Sequence, residues 1–107
     1  MTMARDDSFK EFILDQLQGL GEIDCRAMFG GYGLYHRGVF LAILFKDRLY
    51  FKTSPGSRKP YVEKGMRSFK PNSKQTLRSY YEVPVEVIES RDELAEWARK
   101  ALAARAQ

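Results

Sequence analysis

The sequence has a single cysteine, Cys25, and a single histidine, His36. A lone cysteine excludes an internal disulfide and suits a reducing compartment. With one thiol and one imidazole, a zinc site would need carboxylates for its remaining ligands, and no clustered spacing supplies them; no metal and no cofactor are expected. No apolar run approaches the roughly 18 residues of a membrane span, and residues 1 to 7 lack the apolar stretch of a secretory signal. The expected location is the cytoplasm, without a membrane partner. Phosphate-binding motifs are missing too. Gly30-Gly31-Tyr32-Gly33 leads into Leu34-Tyr35-His36, which reads as another strand, whereas both common phosphate cradles open into a helix, and no Gly-Lys-Ser/Thr follows.

What is present is enough for one domain. The 107 residues are 44% apolar and 13% aromatic, so a single unit over residues 1–107 can bury a real core. The net charge of +4 is unevenly spread: residues 46–78 carry ten basic and two acidic side chains, net +8, while the segments on either side are each net −2. Within that block Arg58, Lys59, Lys64, Arg67, Lys70, Lys74 and Arg78 are candidates for an anion or nucleic-acid patch, with Tyr61, Phe69, Tyr80 and Tyr81 interleaved. The competing reading is a solvated surface.

Periodicity and punctuation give an α+β order. Ser8 three residues before Glu11 forms a capping box, and Phe9, Phe12, Ile13 and Leu17 follow at helical spacing to a stop near Gly19 or Gly21. Glu22 to Phe29 reads as a strand with Ile23, Cys25 and Ala27 on one face, followed by a sharp bend or bulge at Gly30, Gly31 and Gly33. Strands at 34–36, 39–45 and 48–53, joined by turns at Arg37-Gly38 and Lys46-Asp47, form an antiparallel meander because such connections are too short for crossovers. A short helix spans Ser57 to Lys64, residues 69–73 read as loop around Pro71, and Gln75 to Val83 closes a sheet of about five strands. A helical turn at 85–89 precedes a second capping box, Ser90 to Glu93, and an amphipathic last helix carrying Leu94, Trp97, Ala98, Ala101 and Leu102. The expected fold is two layers, the terminal helices covering one face of the sheet.

Catalytic constellations are weak. Asp6, Asp7, Glu11 and Asp15 read as dipole partners and surface of the first helix. His36 beside the Arg37-Gly38 turn reads as an exposed histidine, and Ser54 and Ser57 have no histidine and acid near them in sequence. No enzyme is expected.

The run Arg26-Ala27-Met28-Phe29-Gly30-Gly31-Tyr32-Gly33-Leu34-Tyr35, the hairpin leading to Leu49-Tyr50-Phe51-Lys52, then Ser79-Tyr80-Tyr81-Glu82-Val83-Pro84 and Asp92-Glu93-Leu94-Ala95-Glu96-Trp97-Ala98 together resemble the N-terminal domain of the TfoX/Sxy family over roughly residues 9 to 103. The resemblance implies a secretion-chaperone-like α+β fold, a coactivator role in competence for DNA uptake, and no catalytic residues. Full-length relatives add a helical C-terminal domain, so a stand-alone version of the first domain is expected here. Two readings of function remain. In one, a regulatory module docks on a protein partner such as the transcription machinery through a recognition surface of Arg26, Phe29, Gly30, Gly31, Tyr32, Gly33 and Tyr35. In the other, the basic segment 46–78 binds nucleic acid directly. Open sheet edges leave a homodimer open as well.

Overall fold

A computed structural model describes residues 8–28 and 30–105, the side chain of Arg105 excepted. Asp6, Asp7 and Phe29 lie outside the described residues. The chain runs α1 (Ser8–Gln16), a 3₁₀ turn (Gln18–Leu20), β1 (Ile23–Met28), β2 (Gly31–His36), β3 (Val39–Phe45), β4 (Arg48–Lys52), α2 (Lys59–Glu63), β5 (Ser68–Asn72), β6 (Gln75–Glu82), α3 (Val85–Ile88) and α4 (Arg91–Arg105). All strand pairs are antiparallel, in the order β1-β2-β3-β4-β6-β5.

Local chemistry accounts for the junctions. Arg37 and Gly38 at φ 51° and 84°, and Lys46 and Asp47 at 51° and 60°, adopt the left-handed pairs that two-residue hairpins need to match strand twist. Ser90 caps α4, its Oγ accepting the backbone N–H of Glu93 at 3.3 Å, as the capping box requires. His36 is half-buried rather than exposed: its Nε2 lies 2.8 Å from the Leu20 carbonyl oxygen. A carbonyl can only accept, so Nε2 carries the proton and the ring ties the β2–β3 hairpin to the 3₁₀ turn.

Two expectations are corrected. Among the described residues only Gly30 lies in the bend, and Gly31 and Gly33 belong to β2, paired with Met28 and Arg26. A Cβ on Gly31 would collide with the Leu44 carbonyl oxygen of the adjoining strand, and one on Gly33 would run into Met28 Sδ and lie 2.9 Å from a ring carbon of Phe40. These glycines therefore serve close approach inside the sheet. The β-bulge sits further on, where Leu41 is the extra residue between the pairs Leu34–Ala42 and Tyr35–Phe40. Residues 69–73 are not loop either: Ser68–Asn72 forms the edge strand β5, where Pro71 costs no ladder hydrogen bond on the open side.

The sheet is apolar on both faces. On one, Leu34, Ala42, Leu44, Leu49 and Phe51 meet Ile13 of α1, Tyr61 of α2, Val87 of α3 and Leu94, Ala98 and Ala101 of α4. Gln16 is buried in this layer and donates from Nε2 to the Ile88 carbonyl at 2.9 Å, which pins α1 to α3. On the outer face, Ile43, Tyr50, Phe69 and Tyr80 are buried without any helix in their cluster, with Phe40, Phe45 and Leu77 packed around them. Phe69 reaches Tyr50 at 4.7 Å and Phe45 at 5.4 Å between ring centroids. Strands lie about 4.8 Å apart, so in a flat sheet β5 would stand roughly 14 Å from β3. The β5–β6 arm must curl over the outer face, and the register shifts on either side of Phe69 supply the bend.

Gly31→Ala is expected to destabilise the protein by about 1–3 kcal/mol in urea titration, because backbone must move to admit the methyl group. Gly56→Ala, with nothing within 4 Å of the added Cβ, is expected to stay within about 0.5 kcal/mol of the parent. Burial holds the Tyr61 hydroxyl well above its ordinary pKa of 10.0. Above about pH 10 the unfolded chain loses this proton and the folded chain keeps it, so stability falls as pH rises from there. Tyr61→Phe should flatten that alkaline fall in the urea midpoint.

Candidate functional site

The residues around the glycine run divide between the two faces, as a period of two dictates for Tyr32 and Tyr35 three positions apart. Tyr32 lies half-buried against the helix-covered core, and Lys10 Nζ of α1 sits 4.7 Å from its ring centroid. Gly31 and Gly33 are buried, Gly30 is exposed in the turn at φ 78°, and Phe29 lies outside the described residues. Arg26 and Tyr35 are brought together on the outer face, the guanidinium 4.8 Å from the ring centroid.

From that pair a row of rings and cations crosses the sheet. Tyr35 meets Phe40 edge-on at 5.2 Å, Phe40 meets Tyr80 at 5.8 Å, and Lys52 Nζ lies 5.5 Å from the Tyr80 centroid. Arg26, Tyr35, Phe40, Lys52 and Tyr80 thus come from β1, β2, β3, β4 and β6. Arg26 is exposed, and Tyr35 and Phe40 are half-buried. Phe40 and Lys52 were not singled out from sequence, since only strand register puts them in line with Arg26 and Tyr35.

The basic segment separates into three groups. Lys59 and Lys64 flank α2 and are matched to carboxylates: Lys59 lies 4.0 Å from Glu63, and Lys64 lies 3.2 Å from Glu86. The Glu86 carboxyl is held below its ordinary pKa, first by its own backbone N–H and then by Lys64. Arg48 is likewise spent, its Nη1 donating to both carboxylate oxygens of Glu82 at 2.9–3.0 Å. Arg67, Lys70, Lys74 and Arg78 form the second group, all exposed on or beside the β5–β6 arm; among the described residues none has a carboxylate within 4.0 Å. Arg58 stands apart in the turn after β4, where Nε donates to Thr53 Oγ1 at 3.1 Å and the guanidinium lies 5.7 Å from the Tyr81 ring centroid.

Of the four interleaved aromatics only Tyr81, half-buried beside Arg58, approaches the surface with a cation of this set. Tyr61, Phe69 and Tyr80 are 4%, 0% and 8% exposed, so they are core residues rather than platforms for stacking bases. Ser54 and Ser57 bond to one another, while His36 is committed to Leu20. Among the described residues no three of His, Cys, Asp and Glu come close enough together to hold a metal ion, and no helix is long and apolar enough to cross a membrane.

The chain has no match among curated proteins. A family model, that of the TfoX N-terminal domain, matches residues 15–105. That span takes in every strand, the curled arm and the last helix, and the sheet flanked by N- and C-terminal helices is the architecture the glycine run and closing helix had implied. The chain belongs to the TfoX N-terminal domain family.

Proposed function

We propose that the protein is a non-enzymatic, competence-related regulatory module of the cytoplasm that works by docking its outer sheet face on a protein of the transcription machinery. Family membership supports the regulatory role at the level of the family. The observation that carries the docking surface is the Arg26–Tyr35–Phe40 end of the ring-and-cation row, which no helix covers among the described residues. Half-buried aromatics beside an arginine are the composition of interface hot spots, and these rings are already held in place by their neighbours. A single cysteine, which excludes an internal disulfide, suits the reducing cytoplasm.

A second reading rests on a separate observation, the four cations of the β5–β6 arm that have no carboxylate partner among the described residues. A two-stranded ribbon with cations on it can neutralise nucleic-acid phosphates, and this arm carries Arg67, Lys70, Lys74 and Arg78.

With purified RNA polymerase as probe, Tyr35→Ala and Arg26→Ala should each weaken binding by tenfold or more, about 1.4 kcal/mol, with the fold intact by circular dichroism. Unchanged binding in both variants contradicts the docking face. For nucleic acid, titration of duplex DNA at increasing salt should give a log–log slope of about −0.9 for each phosphate contacted, reduced by about one on each of Lys70→Ala and Lys74→Ala. No binding at low salt rules the second reading out.

A further inference from the structure

Lys52 closes the outer row at one end and, on its other side, enters a separate notch. The notch is lined by Lys52, Thr53, Ser54, Arg58 and Ser79, with Ala104 of α4 on its rim. A continuous chain of hydrogen bonds builds it. Lys52 Nζ donates to Ser79 Oγ at 3.1 Å; the Ser79 carbonyl accepts from Thr53 N at 2.6 Å and from Thr53 Oγ1 at 2.9 Å; and Thr53 Oγ1 accepts from Arg58 Nε at 3.1 Å. Thr53, at the centre, is 2% exposed. Both cations are therefore held from behind, by hydroxyls and by the Tyr80 and Tyr81 rings, and neither has a carboxylate within 4.0 Å among the described residues.

The donor inventory points to the ligand. Arg58 uses Nε, which leaves the four N–H groups of its two terminal nitrogens; Lys52 keeps two N–H groups; and Ser79 Oγ, already an acceptor, has its own proton to give. Thr53 Oγ1 is spent, and the Ser54 hydroxyl goes to Ser57 Oγ at 3.3 Å. Seven donors, two of the three side chains cationic, face a notch whose lining includes no carboxylate among the described residues. A compact, doubly charged, acceptor-only group satisfies that set, and a carboxylate would leave much of it unused. We infer that the notch binds a phosphate monoester, with Lys52 and Arg58 as its charge partners and Ser79 as a further donor. Lys52 also lines a small, mostly apolar depression with Pro60, Tyr61 and Trp97, edged by Ser57 and Lys100, against which the organic part of the ester would lie.

The test uses the full chain and follows backbone amides by NMR during titration with inorganic phosphate and, separately, with glycerol 3-phosphate, at constant ionic strength. Saturable shifts centred on residues 52–58 and Ser79, with Kd near or below about 1 mM, are expected from either probe. Equal affinities would mean that the phosphate group supplies all the binding; a tighter ester would mean that the organic part adds to it. Affinity should rise between about pH 5 and pH 7.5, as the ester loses its second proton near pH 6. Lys52→Gln and Arg58→Gln should each weaken binding about tenfold or more, and Lys59→Gln should leave it unchanged. Arg58→Gln also removes a bond to buried Thr53, so if that variant unfolds, Lys52→Gln decides. Shifts that do not saturate, shifts of equal size at Arg67, Lys70, Lys74 and Arg78, or an unaltered affinity in Lys52→Gln would each overturn the inference. Neither cation belongs to the curled arm or to the Arg26–Tyr35 end of the row, so failure here leaves the docking and nucleic-acid readings standing.

Discussion

The packing of Phe69 against Tyr50 and Phe45 is the contact on which the outer half of the molecule depends. A chain of 107 residues has helices enough to cover one face of its sheet, yet the sequence makes both faces apolar. The second face is covered by the sheet itself. Phe69 is fully buried on an edge strand, which is possible only because β5 and β6 curl across the strands beside them. Burying one phenylalanine is worth about 1.5–3 kcal/mol, and edge-to-face ring pairs add about 0.5–1.5 kcal/mol each, which is ample to fix the position of a short hairpin.

That curl also sorts the charge. The arm takes Arg67, Lys70, Lys74 and Arg78 out to solvent with no carboxylate partner among the described residues, while Lys59 and Lys64 stay near α2 among carboxylates and Arg58 turns towards Thr53. A block of net +8 in sequence thus becomes a paired helix surface, an exposed cationic ribbon and a built notch. The row from Arg26 to Lys52 runs along the outer face, and at Lys52 it meets the notch, which α4 borders through Ala104.

Much of the fold was legible because its signals are local. Arg37-Gly38 and Lys46-Asp47 are turn pairs, Ser90 with Glu93 is a cap, and the 3.6 period of Leu94, Ala98 and Ala101 gives the last helix its buried face. The strand β5 was hidden by Pro71 and by flanking Lys70, Asn72 and Ser73; only its place at the edge makes that composition admissible. Gly31 and Gly33 hid the start of β2 for the opposite reason: residues without side chains carry no alternation to read. The candidate sites were legible in composition and not in grouping. Counting charges cannot separate Lys64, which meets Glu86 from 22 residues away, from Lys70, which meets no carboxylate among the described residues. Nor could it show that Ser79 and Thr53 join Lys52 to Arg58, since that depends on β4 pairing with β6.

Native-state hydrogen exchange tests the central claim most directly. If the aromatic interlock holds the arm as part of the cooperative fold, amides bonded between β5 and β6 around Phe69 will open with the same free energy as those between β3 and β4, and both sets will fall together with added urea. Amides of β5 and β6 that exchange orders of magnitude faster than those of β3 and β4 would show that the arm opens by itself, and would contradict the account.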